Sequence, residues 1–107
     1  MSKTVLVVDD VAMLRCEIAY LLEDEDYEPF QAENGKLAID VLNSNNIDLL
    51  ITDIMMPEMD GIELSEYCRQ HFPELKIIVI SGGGTLDVAD SSDDLLTHIS
   101  NRSIADA

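Results

Sequence analysis

Basic residues are what this chain has least of: six Lys and Arg stand against 22 Asp and Glu, a net charge of −16 over 107 residues. So negative a surface is repelled by phosphate backbones and anionic lipid, which excludes nucleic acid and acidic membranes as partners. It suits a divalent cation, or docking on a basic protein surface. No apolar run approaches ~20 residues, so no segment is expected to span a membrane. Met1-Ser2-Lys3-Thr4 leads straight into a strand-like run without the apolar core of a secretory signal, and a cytoplasmic location is expected. Cysteine is limited to Cys16 and Cys68, far apart and without metal-ligand spacing, so both are expected to be buried, reduced thiols. Gly82-Gly83-Gly84 lacks both the dinucleotide spacing and the lysine of a P-loop, which leaves a flexible loop as the reading.

What is present is a regular alternation. Thr4 to Val8 reads as a strand. Val11, Leu14, Ile18, Leu21 and Leu22 then recur at helical spacing, up to the acidic run Glu23-Asp24-Glu25-Asp26, which disfavours a helix C-terminus. Tyr27 to Ala32 is a second strand, placed at an edge by Pro29. Asn34-Gly35 is a turn, and Lys36 to Leu42 a short helix. Next come a strand from Ile47 to Thr52, a helix from Ile62 to Phe72 and a strand from Lys76 to Ile80, with a fourth helix expected from Leu86 to about Ile99. The order βαβαβαβα with short connections predicts one α/β domain, a doubly wound parallel sheet.

Two of the apolar runs end in aspartate: Val5-Leu6-Val7-Val8 meets Asp9-Asp10, and the run ending Ile51-Thr52 meets Asp53. Ligands of parallel α/β sheets bind outside the carboxyl ends of the strands. If those strands are neighbours, three carboxylates converge there and repel one another, so a cation is expected among them; hard oxygen ligands favour Mg²⁺. Asp10 has a second possible role, capping the helix that begins near Val11. Ser81 comes directly after the fourth strand and would face the same crevice in the strand order 2-1-3-4. Glu58 and Asp60 read as loop acids outside the metal shell. Met13, Met55, Met56 and Met59 read as gap-fillers or partner-facing residues rather than a soft-metal cluster. Neither His71 nor His98 is assigned a chemical role.

Three segments together carry a family resemblance: Val5-Leu6-Val7-Val8-Asp9-Asp10, Asp48 to Gly61 (Asp48-Leu49-Leu50-Ile51-Thr52-Asp53-Ile54-Met55-Met56-Pro57-Glu58-Met59-Asp60-Gly61), and Ile77-Ile78-Val79-Ile80-Ser81-Gly82. In this order and spacing they resemble the receiver domain of two-component response regulators. The resemblance implies a flavodoxin-like fold in which Asp53 is the phosphoacceptor, taking its phosphoryl group from a histidine kinase or phosphotransfer protein. It implies Mg²⁺ held by Asp9, Asp10, Asp53 and the backbone carbonyl of Met55. Ser81 would donate to a phosphoryl oxygen and report its presence, and Pro57 and Gly61 would shape the loop between. A receiver is not an enzyme beyond self-catalysed phosphoryl transfer and dephosphorylation. It acts by switching a surface that binds a downstream protein.

Two departures from the family pattern stand out. Receivers carry a lysine at the end of a fifth strand, and this chain has only Lys3, Lys36 and Lys76. Residues 1–107 are therefore expected to form a receiver lacking the fifth strand, its lysine, its aromatic switch position and the fifth helix, a (βα)4 remnant. The fourth strand would then be an exposed apolar edge open to self-association. The second departure is Met55, two residues after Asp53, where a polar group can position attacking water; a methionine implies a long-lived phosphoryl group. An unphosphorylated binding module is the alternative within signalling. A haloacid-dehalogenase-like phosphatase is the alternative from another class, and Met55 stands where it would need a second acid.

Overall fold

Uninterrupted apolar runs in this chain, such as Val5–Val8 and Ile77–Ile80, are of strand length, and the fold results from covering both of their faces. The computed structural model describes residues 3–81 and 85–88. The elements are β1 (Thr4–Val8), α1 (Ala12–Asp24), β2 (Glu28–Ala32), α2 (Gly35–Ser44), β3 (Leu49–Asp53), α3 (Gly61–His71), β4 (Lys76–Ser81) and β5 (Thr85–Val88). They form one sheet of order β2-β1-β3-β4-β5. The first four strands are parallel, in the flavodoxin-like arrangement expected from the sequence. β2, which contains Pro29, is an edge strand as predicted.

Alternation along each strand divides the core into two layers. Leu6, Val8, Leu50, Ile77 and Val79 face Ala38 and Leu42 of α2 and Leu64 and Cys68 of α3. Val5, Val7, Leu49, Ile51, Ile78 and Ile80 form the opposite layer with Ile18 and Leu22 of α1. Each Val, Leu or Ile among them contributes about 1.5–3 kcal/mol on full burial, so the two layers together dominate the stability of the sheet. β1 and β3 lie at the centre, and the turns that carry Asp9, Asp10 and Asp53 leave from their carboxyl ends.

The helix termini are set by local chemistry. Asn34 is the N-cap of α2: its side chain accepts from the Leu37 amide at 2.8 Å, so the expected Asn34-Gly35 turn is the start of the helix. Asp60 caps α3 in a full capping box, accepting from the Glu63 amide at 2.9 Å while Glu63 Oε1 accepts from the Asp60 amide at 3.4 Å. α1 ends inside its acidic run, with Asp26 just beyond it at φ 67°.

Three sequence expectations are corrected. Leu86 does not begin a helix: Thr85–Val88 is a strand, antiparallel to β4, with Ser81 opposite Thr85 and Ile78 opposite Val88. The unmet N–H and C=O groups along an apolar β4 are the physical reason, since pairing them outweighs a weak helical pattern. The outer edge of β4 is therefore occupied, which removes the exposed edge on which the expectation of self-association rests. The remainder of that expected helix, the Gly82–Gly84 loop and His98 lie outside the described residues. Cys16 is exposed, not buried; only Cys68 lies in the core, where burial pushes its thiol up to about 11. Residue 16 is about 200° around the helix from Leu14 and from Ile18, which places it on the solvent side.

The β5 pairing has a direct consequence for hydrogen exchange. An edge strand protects alternate amides, whereas a strand paired on both sides protects successive ones. Consecutive slow exchange at Ile78, Val79 and Ile80 is expected; an alternating fast–slow pattern there would contradict the pairing.

Candidate functional site

The parallel register brings the sequence-predicted acids together. Val8 pairs with Thr52, so the next residues along, Asp9 and Asp53, leave adjacent strands at the same level. Carboxylate oxygens of Asp9, Asp10 and Asp53 all lie within 4.8 Å of one another. At that separation and an effective dielectric of 20, a pair of unit charges repels by about 3.5 kcal/mol, a scale reduced by solvent for exposed Asp10.

Asp9 is the unusual member. It is only 1% exposed, yet its Oδ2 has no hydrogen-bond partner among the described residues. Oδ1 accepts from the Val11 amide at 2.8 Å. Burial raises the Asp9 carboxyl above the ordinary carboxylate range; the Val11 hydrogen bond opposes this, Asp53 and Asp10 add to it, and Arg15 opposes it. A buried carboxylate with an unpartnered oxygen, clustered with two further carboxylates, is a donor set suited to a hard divalent cation, and the three residues fit Mg²⁺. The α1 N-cap is Val11 without a side-chain cap, and the carboxylate engaging its amide is Asp9. Asp10 is thereby left exposed at the site rather than serving as the cap.

Asp53 is half-buried at the end of β3. Its Oδ1 accepts from the Met55 amide at 3.3 Å, while its backbone carbonyl accepts from the buried Thr52 hydroxyl at 3.1 Å. The ladder continues one step, with the Ile54 amide donating to Ile80 at 3.0 Å, and the loop returns when the Gly61 amide donates to Ile54 at 2.9 Å. Here Gly61 is required by space. A Cβ at that position would sit 2.2 Å from the carbonyl oxygen of Asp53 and 3.0 Å from Cα of Ile54. Along the loop, Met56 and Met59 pack on the core, Met59 lies over Gly35, and Pro57 and Met55 point outward, Met55 with 72% exposure. Glu58, at φ 69°, meets Lys36 at 3.5 Å across an exposed pair that contributes little to stability.

Ser81 closes β4 one residue beyond Ile80, the partner of Asp53, so the backbone places it beside the acids. Its side chain lies outside the described part of the structure. His71 stacks on Tyr67 at 4.0 Å and plays no part in the site. Arg15, which sequence reasoning passes over, does take part: Nη1 donates to the Asp9 backbone carbonyl at 2.7 Å. No spacing rule flags a cation six residues from its partner carbonyl. Among the described residues no helix is long and apolar enough to cross a membrane.

The charge and the packing of the site are each open to measurement. Because the folded Asp9 carboxyl binds its proton more tightly than the unfolded one, ionising it costs stability. That cost is absent below the ordinary value of 3.8 and grows as pH rises from there through the raised folded value. Asp9→Asn, whose amide oxygen can keep the Val11 contact, should therefore melt above the wild type in metal-free buffer near neutrality, with the gap closing towards pH 3.8. A variant that is less stable at every pH would contradict this. Gly61→Ala should lose about 1–3 kcal/mol in denaturant unfolding, as overpacking against fixed backbone does; an unchanged midpoint would show that the loop yields freely.

The chain matches the family model described as "Response regulator receiver domain" over residues 5–95. It is 33% identical over 100 residues to sporulation initiation phosphotransferase F of Bacillus subtilis, covering 92% of this chain and 81% of that protein. It is 35% identical over 81 residues to the autoinducer 1 sensor kinase/phosphatase LuxN of Vibrio campbellii, covering 76% of this chain and 10% of that much longer one. Among solved structures, the response regulator TrrA of Thermotoga maritima, in complex with Mg²⁺–BeF, superposes with a TM-score of 0.71 at 39% identity, over 74% of this chain and 69% of that one. A receiver protein of Pseudomonas putida gives 0.73 at 27% identity, over 94% and 79%. Sequence, sheet order and clustered acids agree: the chain belongs to the family of response regulator receiver domains of two-component systems.

Proposed function

We propose that this receiver, read as one domain over residues 1–107, accepts a phosphoryl group on Asp53 and thereby switches a surface that binds a downstream protein. The observation that carries the reading is the buried, unpartnered Oδ2 of Asp9 within a cluster of three carboxylates at the end of β1 and β3. Receiver domains in general are phosphoacceptors rather than enzymes. The donor is a phosphohistidine of a histidine kinase or phosphotransfer protein.

In the transfer, a carboxylate oxygen of Asp53 attacks phosphorus and the P–N bond to the donor imidazole breaks. The imidazole keeps the bonding electron pair and takes up a proton. Asp53 is suited to this because the Met55 amide engages Oδ1 and fixes the rotation of the carboxylate, leaving Oδ2 as the attacking oxygen. Asp9, Asp10 and Asp53 would hold Mg²⁺, with the backbone carbonyl of Met55 as a further ligand. When bound, Mg²⁺ supplies neutralisation of the acids and of the charge developing on the phosphoryl oxygens. A relative solved with Mg²⁺–BeF supports this assignment. Ser81, at the end of β4, is the residue assigned to donate to a phosphoryl oxygen. Pro57 and Gly61 set the path of the loop. The outward Met55 side chain offers no group to position water, which favours a long-lived acyl phosphate.

The reading is tested with acetyl phosphate and Mg²⁺. A base-labile mass increase of one phosphoryl group is expected, abolished in Asp53→Asn and by chelation. Absence of any adduct on folded protein would overturn it in favour of an unphosphorylated binding module, and sustained multiple turnover would overturn it in favour of a phosphatase.

A further inference from the structure

The turn that carries Asp9 and Asp10 is short, strongly charged and internally repulsive, so something must hold its backbone while the carboxylates converge. From β2 the Ala32 carbonyl accepts from the Asp9 amide at 3.2 Å. From α1 comes Arg15. A helical side chain leans towards the N-terminus of its helix, and Arg15 reaches back a full turn in this way. Its Nη1 donates to the Asp9 carbonyl at 2.7 Å, and its Nε donates to Oε1 of Gln31 at 3.1 Å. Gln31 belongs to β2 and lies opposite Val7 of β1. The same Gln31 oxygen accepts from Cys16 Sγ at 3.7 Å. One guanidinium thus ties α1, the edge strand and the acidic turn together. It brings a positive charge to the acids without occupying either carboxylate.

We propose that Arg15, anchored by Gln31, is a positioning residue for the Asp9–Asp10 turn: it fixes the direction in which the two carboxylates present themselves to the cation. This rests on the Mg²⁺ reading above and adds to it a residue that touches neither metal nor phosphoryl group. The planar fork is the essential feature. Lysine keeps the charge but offers a single nitrogen, which cannot serve the carbonyl and the Gln31 oxygen in the same fixed geometry. Loss of an outer partner of a metal site commonly weakens metal affinity by about 10–100-fold.

The test compares the wild type with Arg15→Met, Arg15→Lys and Gln31→Met in two readouts: Mg²⁺ affinity by calorimetric titration, and exchange of the Val11 amide in metal-free protein. Arg15→Met is expected to weaken Mg²⁺ binding by about tenfold or more. Arg15→Lys should recover only a minor part of this, and Gln31→Met, which leaves the charge in place, should weaken binding in the same direction. All three should accelerate exchange at Val11. The maximal rate of acetyl phosphate labelling at saturating Mg²⁺ should change far less than the half-saturating Mg²⁺ concentration, a split that general destabilisation would not produce. Wild-type affinity in Arg15→Lys would overturn the proposal in favour of charge alone. Unchanged affinity and exchange in Gln31→Met, which lies on an exposed edge position and should fold, would overturn the anchoring role. If the wild type itself binds no Mg²⁺, the metal reading fails first, and the proposal with it.

Discussion

Mutual repulsion of three carboxylates is the constraint around which this domain is arranged. Oxygens of Asp9, Asp10 and Asp53 within 4.8 Å of one another are brought there by the apolar core, not by any attraction among themselves. Burial of the apolar residues of β1 and β3 side by side brings the two turns into register. The sheet thus holds an unfavourable electrostatic arrangement in place, at the cost of leaving one buried oxygen without a partner. Such an arrangement is stable as a fold but poised electrostatically, and a hard cation bound there would relieve it. Binding of that cation would couple the proposed chemistry to stability through the same three side chains.

The surroundings of the site hold the acids close to each other. Gly61 lets the loop back onto the carbonyl of Asp53, at a distance no side chain would tolerate. The Asp60–Glu63 capping box then starts α3 directly from that contact. On the other side, Asp9 gives one oxygen to the Val11 amide and its carbonyl to Arg15, and its other carboxylate oxygen is left buried without a partner among the described residues. Most polar groups near the site are satisfied locally: Thr52 bonds the Asp53 carbonyl and Ser65 the Gly61 carbonyl. The unsatisfied atom among the buried side chains of the described residues is the one expected to meet the ion.

Much of this is legible in the residues. Apolar runs such as Val5–Val8 and Leu49–Ile51 suit strands covered on both faces, and the α/β alternation together with the family resemblance supplies the strand order under which Asp9, Asp10 and Asp53 converge. Less is legible where tertiary context decides. Thr85–Val88 is strand because β4 offers it an edge, although the sequence from Leu86 onward also carries helical spacing. Cys16 is exposed because of its angular position on α1, which outweighs the average tendency of cysteine to be buried. Asp60 and Asn34 are signalled by their positions before helices, yet read as loop and turn residues in the sequence. Arg15 is beyond pattern reading, because its two partners are a backbone carbonyl six residues back and a side chain on another strand.

The most direct measurement of the central claim is the thermal midpoint of the chelator-treated protein as Mg²⁺ is added. If the acids form a cation site in the folded state alone, the midpoint rises with Mg²⁺ and continues to rise past saturation, by about 1.4 kcal/mol of stability for each further tenfold. Asp9→Asn should flatten that dependence. A midpoint that stays fixed from zero to tens of millimolar Mg²⁺ would show that the three carboxylates tolerate one another without a metal, and would contradict the account.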